Sequence, residues 1–162
     1  MNLSGADAVE KIKKLAESKT IMFCSFTGQQ MTTRPMHVQG IDEDGTCWFF
    51  SDKDSDKNQH ITANPKVQLI YADNSGYEYL SIEGTASIEH DPLKIASLWS
   101  DWAKNWFQGG QSDPNLTLLR VQPEDGHYWD TKNNKVVSLM KIAVGALTGK
   151  PADDGLEGDL KP

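Results

Sequence analysis

Apolar positions in this chain fall into short blocks whose period changes from one block to the next. Ala6, Val9, Ile12, Leu15 and Ala16 recur at helical spacing. Ser4 and Asp7 ahead of them resemble a capping box, and the stripe predicts a short lid helix ending near Ser18-Lys19. Thr20 to Thr27 is rich in β-branched and aromatic residues and reads as a strand, with Gly28-Gln29-Gln30 as the turn behind it. A second strand runs from Met31 to Gly40. Pro35 cannot donate to a ladder, so this strand belongs at an edge or a bulge. Asp42-Glu43-Asp44-Gly45 turns the chain into Cys47-Trp48-Phe49-Phe50, an apolar run too continuous for a strand with one wet face. A strand covered on both sides is the expectation there.

Helical spacing resumes after Ser51, through Ile61 and Ala63, until Asn64-Pro65 stops it, with Asp54 or Ser55 as N-cap. Val67 to Ala72 alternates as a half-buried strand, and a longer strand from Tyr77 to Glu89 carries a bulge or bend at Gly84. Asp91-Pro92 starts a helix on whose face Ile95, Leu98, Trp99, Trp102 and Trp106 fall together. The first three read as core. For the others, interface and ligand contact are both open. Leu116 to Val121 and Gly126 to Asp130 predict further strands, and Asn133-Asn134 turns the chain into a last one, Lys135 to Leu139. Residues 1–149 read as one domain, and from Lys150 the chain has little to bury and reads as a mobile acidic tail. The whole is a mainly β (α+β) fold, an antiparallel sheet curling into a barrel with flanking helices.

Charge narrows the function. The 162 residues carry a formal net charge of -7, which argues against nucleic acid or an anionic membrane as partner, so any anion site must be local. Cys24 and Cys47 lie in apolar runs without CxxC spacing and suit a reducing compartment. The four histidines are scattered without metal-ligand spacing, and no metal is expected. No basic stretch followed by an apolar run opens the chain, and no apolar run approaches membrane-spanning length. A soluble cytoplasmic protein is expected.

The one local anion site that the pattern offers follows Phe50. A buried strand there delivers Ser51, Ser55 and Lys57 to a helix start, where hydroxyls, an ammonium and free amides could hold a phosphate. An ordinary capped strand-to-helix corner accounts for the same residues. Arg34 beside Pro35 is either re-aimed by a bulge toward a site or a surface arginine on an edge strand.

Taken in order, Arg34-Pro35-Met36, Trp48-Phe49-Phe50-Ser51 with Lys57, Asn64-Pro65, Gly84-Thr85-Ala86, Trp106-Phe107 with Gly109-Gly110, Asp113-Pro114, Leu118 to Val121 and Tyr128-Trp129-Asp130 form a familiar series. The chain resembles the bacterial general stress proteins of the pyridoxamine-5'-phosphate-oxidase-like, FMN-binding split-barrel superfamily. The resemblance implies a Greek-key split β-barrel, a homodimer, and FMN as cofactor in clefts between protomers. It implies that Arg34, Pro35, Met36 and His37 lie along the flavin, and that Phe50 and Ser51 meet its edge. Ser55 and Lys57 would take the phosphate, while Trp106 and Trp129 are candidates to close the site across the dimer. Asp56 stands where the oxidases of the superfamily carry an arginine, and Gln108 where the stress proteins carry a proline. The implied function is FMN binding with flavin-dependent oxidoreductase activity on a small substrate. A non-enzymatic flavin carrier in stress response and a pyridoxamine-5'-phosphate oxidase are the alternatives, the latter disfavoured by a chain with only two arginines. A haem or a deazaflavin in the same cleft ranks below these. No dedicated general base stands out, and His37 and Tyr128 are the candidates for proton transfer.

Overall fold

The computed structural model describes residues 1–131 and 155–162, beginning with β1 (Leu3–Ser4) and α1 (Ala6–Ala16). The stripe predicted for α1 is buried as Ala8, Val9, Ile12, Leu15 and Ala16. Next come β2 (Thr20–Thr27), β3 (Gln30–His37), β4 (Gly40–Ile41) and β5 (Cys47–Asp52). They are followed by α2 (Asp56–Ala63), β6 (Lys66–Asp73), β7 (Glu78–Glu89), α3 (Pro92–Leu98), β8 (Leu116–Thr131) and β9 (Gly155–Lys161). Two short 3-10 turns, Asp101–Asn105 and Gly110–Ser112, lie between α3 and β8. No helix among the described residues is long and apolar enough to cross a membrane.

One sheet carries all the strands, in the order β1-β9-β8-β7-β6-β2-β3, and every pairing is antiparallel except β1 with β9. Strand β8 bends the assembly. One of its edges is taken by β7, and the other is divided between β5 at Leu116 to Val121 and β9 at Gly126 to Thr131. The sheet curls but does not close: β3 ends its path, and β5, held by β4 and β8, faces it across a gap. This is the expected mainly β split barrel, with Pro35 on the edge strand. The bulge expected at Gly84 is present as a register shift between Glu83 and Gly84, where a β-carbon would come within 2.5 Å of the Gln122 carbonyl oxygen.

Strand β5 is covered on both faces. Cys47 and Phe49 enter the main core, where Phe49 meets Phe23 edge-on, while Trp48 and Phe50 enter a second cluster with Ile95, Ala103, Phe107, Leu116 and Leu118. The alternation of a strand, with both faces apolar, explains why its sequence shows no polar period. Of the two N-caps considered for α2, Ser55 is the one used.

Three expectations change. Helix α3 stops at Leu98, since Trp99 and Ser100 are extended. Trp102 therefore lies in a separate 3-10 turn that ends at Trp106, rather than on the face of Ile95. Trp99 leaves the helix to lay its ring 5.7 Å from that of Phe50. The two strands expected across residues 116–130 are one continuous strand, because the polar residues between them pair with β7. Finally, Gly155–Lys161 of the expected mobile tail is strand β9, with Leu160 fully buried and Met1 to Ser4 docked beside it. The turn at Asn133-Asn134, the strand expected at Lys135 to Leu139 and the boundary expected at residue 149 lie outside the described residues.

Candidate functional site

The gap between β3 and β5 forms a cavity of about 290 Å³. Arg34, Pro35, Met36, His37 and Gln39 line one side, Phe50, Ser51 and Asp52 the other. Lys57 comes from the first turn of α2, and Trp102, Ala103, Trp106 and Phe107 come from the segment after α3. The strand contributors are placed by the sheet. Arg34 lies opposite Phe23 on β2 and Met36 opposite Ile21, while Ser51 lies opposite Thr117 on β8.

The polar end holds two cations close together. Lys57 is 8% exposed, and burial, with the nearby Arg34 guanidinium adding to it, pulls its ammonium down to about 8 although Asp52 opposes the shift. Its Nζ donates to Ser55 Oγ at 3.1 Å. Arg34 Nε is buried and has no hydrogen-bond partner among the described residues. A buried guanidinium nitrogen left without an acceptor, beside a second cation, is unfavourable in the protein alone and is the environment an anion relieves. Asp56 is exposed and is not among the cavity-lining residues. Its carboxylate does not stand between these cations and a ligand.

The other end is aromatic. Phe50 is seated by Trp99 and Phe107, and Trp102 stacks at tilted angles on Trp106 at 4.1 Å and on His37 at 5.1 Å. Trp102 and Trp106 are 49% and 60% exposed, flat faces held at the rim. Burial lowers the His37 pKa, so its imidazole is neutral at pH 7.

Of the residues expected at the site, Arg34, Pro35, Met36, His37, Phe50, Ser51, Lys57 and Trp106 meet in this cavity. Ser55 stands behind it, holding Lys57. Trp129, expected to close a site across the dimer, lies away from its own chain's cavity, beside Tyr79 in the sheet. Tyr128 is also outside: it is buried under α1, its ring under Lys11 Nζ and its hydroxyl donating to the Met1 carbonyl. Gln39, Asp52, Trp102, Ala103 and Phe107 were not anticipated as site residues. Trp102 is one of three tryptophans within eight positions, for which the sequence leaves ligand contact open beside interface without assigning it to the site.

A model of the family described as pyridoxamine 5'-phosphate oxidase like matches residues 7–153. The chain belongs to this family. Among its relatives, general stress protein 26 of Bacillus subtilis is 29% identical over 97 residues, 58% of this chain and 69% of that protein. Protein bli-3 of Neurospora crassa is 27% identical over 112 residues, which is 64% of this chain; the match spans 54%, about half, of bli-3. The crystal structure of a protein assigned as general stress protein 26 from Jannaschia sp. superposes with a TM-score of 0.80 at 28% identity, covering 98% of this chain and 99% of that one. A general stress FMN/FAD binding protein from Xanthomonas citri superposes with a TM-score of 0.67 at 26% identity, covering 78% and 90%.

Proposed function

We propose that this pyridoxamine 5'-phosphate oxidase-like protein binds FMN in the cavity between β3 and β5 and acts as a flavin-dependent oxidoreductase on a small substrate. The observation that carries the reading is a pair of neighbouring cations, buried Lys57 and half-buried Arg34, with the buried Arg34 Nε lacking a hydrogen-bond partner among the described residues. A phosphate monoester is a dianion near neutral pH, and two cations at the closed end of an aromatic cleft match its charge. The FMN/FAD-binding relative from Xanthomonas citri lends the same support.

In this reading Lys57 and Arg34 hold the phosphate, and Ser55 fixes Lys57. Phe50 and Met36 pack against the flat ring while Ser51 and Gln39 offer polar contacts. His37, whose pKa burial lowers, is the candidate here for accepting a proton. Bound FMN supplies hydride and single-electron chemistry, and the protein supplies orientation and exclusion of water. Arg34 and Lys57 are the one arginine and the one lysine of the described lining and sit together, which argues against the second phosphate site that pyridoxamine phosphate would need.

A homodimer belongs to this proposal. The cavity is at the small end of ligand sites, which run from about 300 Å³ upward, and a second copy would complete its wall. The cross-strand neighbours Met22 and Ile70, and Tyr79 and Trp129, put partly exposed apolar surface on the outer face of the sheet, available to such a partner. A cytoplasmic setting is also part of it, in keeping with the free thiols of Cys24 and Cys47.

The deciding experiment is the visible absorption spectrum after adding FMN and desalting. A flavin spectrum near one per chain is expected, with Lys57→Ala losing it and Lys14→Ala, on α1 far from the cavity, keeping it. Equal behaviour of the two variants, or a colourless wild type, would refute the reading. Bleaching by NAD(P)H followed by reoxidation in air identifies an oxidoreductase, and a flavin that stays oxidised identifies a carrier.

A further inference from the structure

Behind the cations lies a polar network in which the directions at Thr117 and Asn58 can be worked out. Ser51, Asn58 and Thr117 are 2%, 3% and 8% exposed, among the few buried polar residues of the chain. The Thr117 hydroxyl donates its one proton to the Ser51 carbonyl at 2.9 Å, since a carbonyl can only accept. Thr117 Oγ1 must therefore accept from its other neighbour, the Asn58 side chain at 3.1 Å, which assigns that end of the amide as Nδ2. The amide oxygen then faces the opposite way. It accepts from Ser51 Oγ at 2.6 Å and from Ser55 Oγ at 3.2 Å.

The network spans three elements, with Ser51 on β5, Thr117 on β8 and Asn58 on α2, and it fixes the first turn of α2 against the strands. Whether its proton goes to Asn58 Oδ1 at 3.2 Å or to Ser51 Oγ at 3.3 Å, Ser55 Oγ presents lone pairs to Lys57 Nζ at 3.1 Å and to the Asn58 amide nitrogen at 3.4 Å. Ser51 likewise turns its proton away from the cavity. The proton donors that the cavity offers at this end are thus the Arg34 and Lys57 cations, while the serine oxygens hold the lysine in place.

Resting on the reading of the cavity as an FMN phosphate site, we infer that Asn58 and Thr117 are a positioning pair that orients the Ser51 and Ser55 hydroxyls and, through Ser55, aims Lys57 at the ligand. Neither Asn58 nor Thr117 is part of the cavity wall. Their influence on binding passes through the serines and not through contact with the ligand.

FMN titration followed by flavin fluorescence tests this on Asn58→Leu, on the Ser51→Ala/Ser55→Ala pair and on the triple variant, with thermal melts to confirm folding. Asn58→Leu is expected to weaken FMN binding about tenfold, the worth of one or two buried hydrogen bonds. The triple variant is expected to bind no more weakly than the weaker of the other two. A purely structural residue would multiply its effect with that of the serines. Thr117→Val is the gentler substitution should Asn58→Leu not fold, with a loss of about threefold expected and the same failure to multiply.

A second readout needs no flavin. In nuclear magnetic resonance of the unliganded protein, the Asn58 side-chain amide protons are expected to be protected from exchange, and Thr117→Val should reduce that protection at least about tenfold. Unchanged exchange in Thr117→Val, or folded variants that bind FMN as the wild type does, would overturn the pair's role. If wild type binds no FMN while the exchange result holds, the network stands as described but the positioning inference falls with the FMN reading.

Discussion

At the scale of single residues, the site is built on a compromise over Lys57. Its folded pKa of about 8 lies below the 10.5 of an ordinary lysine, so burial and Arg34 disfavour its charge in the fold. The unfolded chain binds more protons between those values, and stability from this group rises as pH climbs from about 8 toward 10.5. Below pH 8 the charged ammonium is present at its full penalty. Anion binding has the opposite slope, because a dianion favours protonated Lys57. FMN affinity is expected to hold from pH 6.5 to 7.5 and to fall by up to about tenfold per pH unit above 8, measured by fluorescence titration. Lys57→Met carries the same logic further. Removing a buried cation that stands beside a second one should raise the melting temperature of the unliganded protein while abolishing FMN retention, which calorimetry and desalting would show together. A drop in melting temperature would mean that Lys57 is held by favourable partners rather than waiting for one.

The residue scale is also where the sequence was least legible. Lys57 and Ser51 were readable as phosphate-site candidates because a strand end and a helix start stand next to each other in the chain. Arg34 lies more than twenty residues earlier, and only the curl of the sheet brings it to Lys57. Resemblance pointed to it; spacing could not. Asn58 carried no signal, since a polar residue in the first turn of a polar helix reads as surface. Its burial depends on Thr117, which reaches it from β8.

At the scale of elements, α3 and the segment after it control the aromatic half of the cavity. Asp91 caps α3 by accepting from the Leu93 and Lys94 amides, and Lys94 in turn bonds Asp42 at 2.7 Å and lies over the Trp48 ring. Asp42 also accepts from Trp48 Nε1 at 2.8 Å. Loss of the cap in Asp91→Ala should lower stability by about 1 kcal/mol in urea unfolding. The same variant should loosen the Phe50–Trp99 contact, visible as a change in tryptophan fluorescence. Gly84 is the other sensitive point. A β-carbon there would meet backbone rather than a movable side chain, so Gly84→Ala is expected to destabilise by about 2 kcal/mol or more in the same measurement.

The strands themselves were legible wherever their periodicity was clean. Thr20–Thr27 and the doubly covered Cys47–Asp52 follow directly from their residues. The extent of α3 was not, because Trp99, Trp102 and Trp106 keep helical spacing while the backbone between them turns extended at Ser100. Spacing alone does not distinguish a helix from a 3-10 turn that resumes after a break.

At the scale of the whole molecule, the C-terminal strand and the first helix close one end of the barrel. Asp130 on β8 is almost fully buried and takes ammonium groups from both Lys11 and Lys14 at 2.8 and 3.0 Å. Burial alone would raise its pKa, but the two lysine hydrogen bonds outweigh this and hold the carboxyl below its ordinary value. Its contribution is therefore present above the unfolded carboxyl pKa and lost as pH falls through the folded one. Asp130→Asn is expected to cost about 3 kcal/mol at pH 7, by leaving a partly buried Lys11 without its counter-charge, and to flatten the acid limb of a stability–pH curve. Lys14→Ala leaves Lys11 on Asp130, which is why it serves as a control. Strand β9 escaped the sequence reading because Gly155 to Lys161 offers only Leu156 and Leu160 to a core. The period of two across Leu156, Gly158 and Leu160 was its one visible mark.

The pairing of β1 with β9 also has a bearing on time. Leu3 is opposite Leu160, so β1 has no partner until β9, at the far end of the fold in sequence, has been made. Strand β5 similarly waits for Leu116 to Val121 of β8. Contacts so distant in sequence make for slow folding, in milliseconds to seconds rather than microseconds. On the nascent chain the β2–β3 hairpin can form early, but the cavity cannot take shape until β8 follows. On the FMN reading, cofactor loading therefore waits for β8 and cannot accompany the early hairpin.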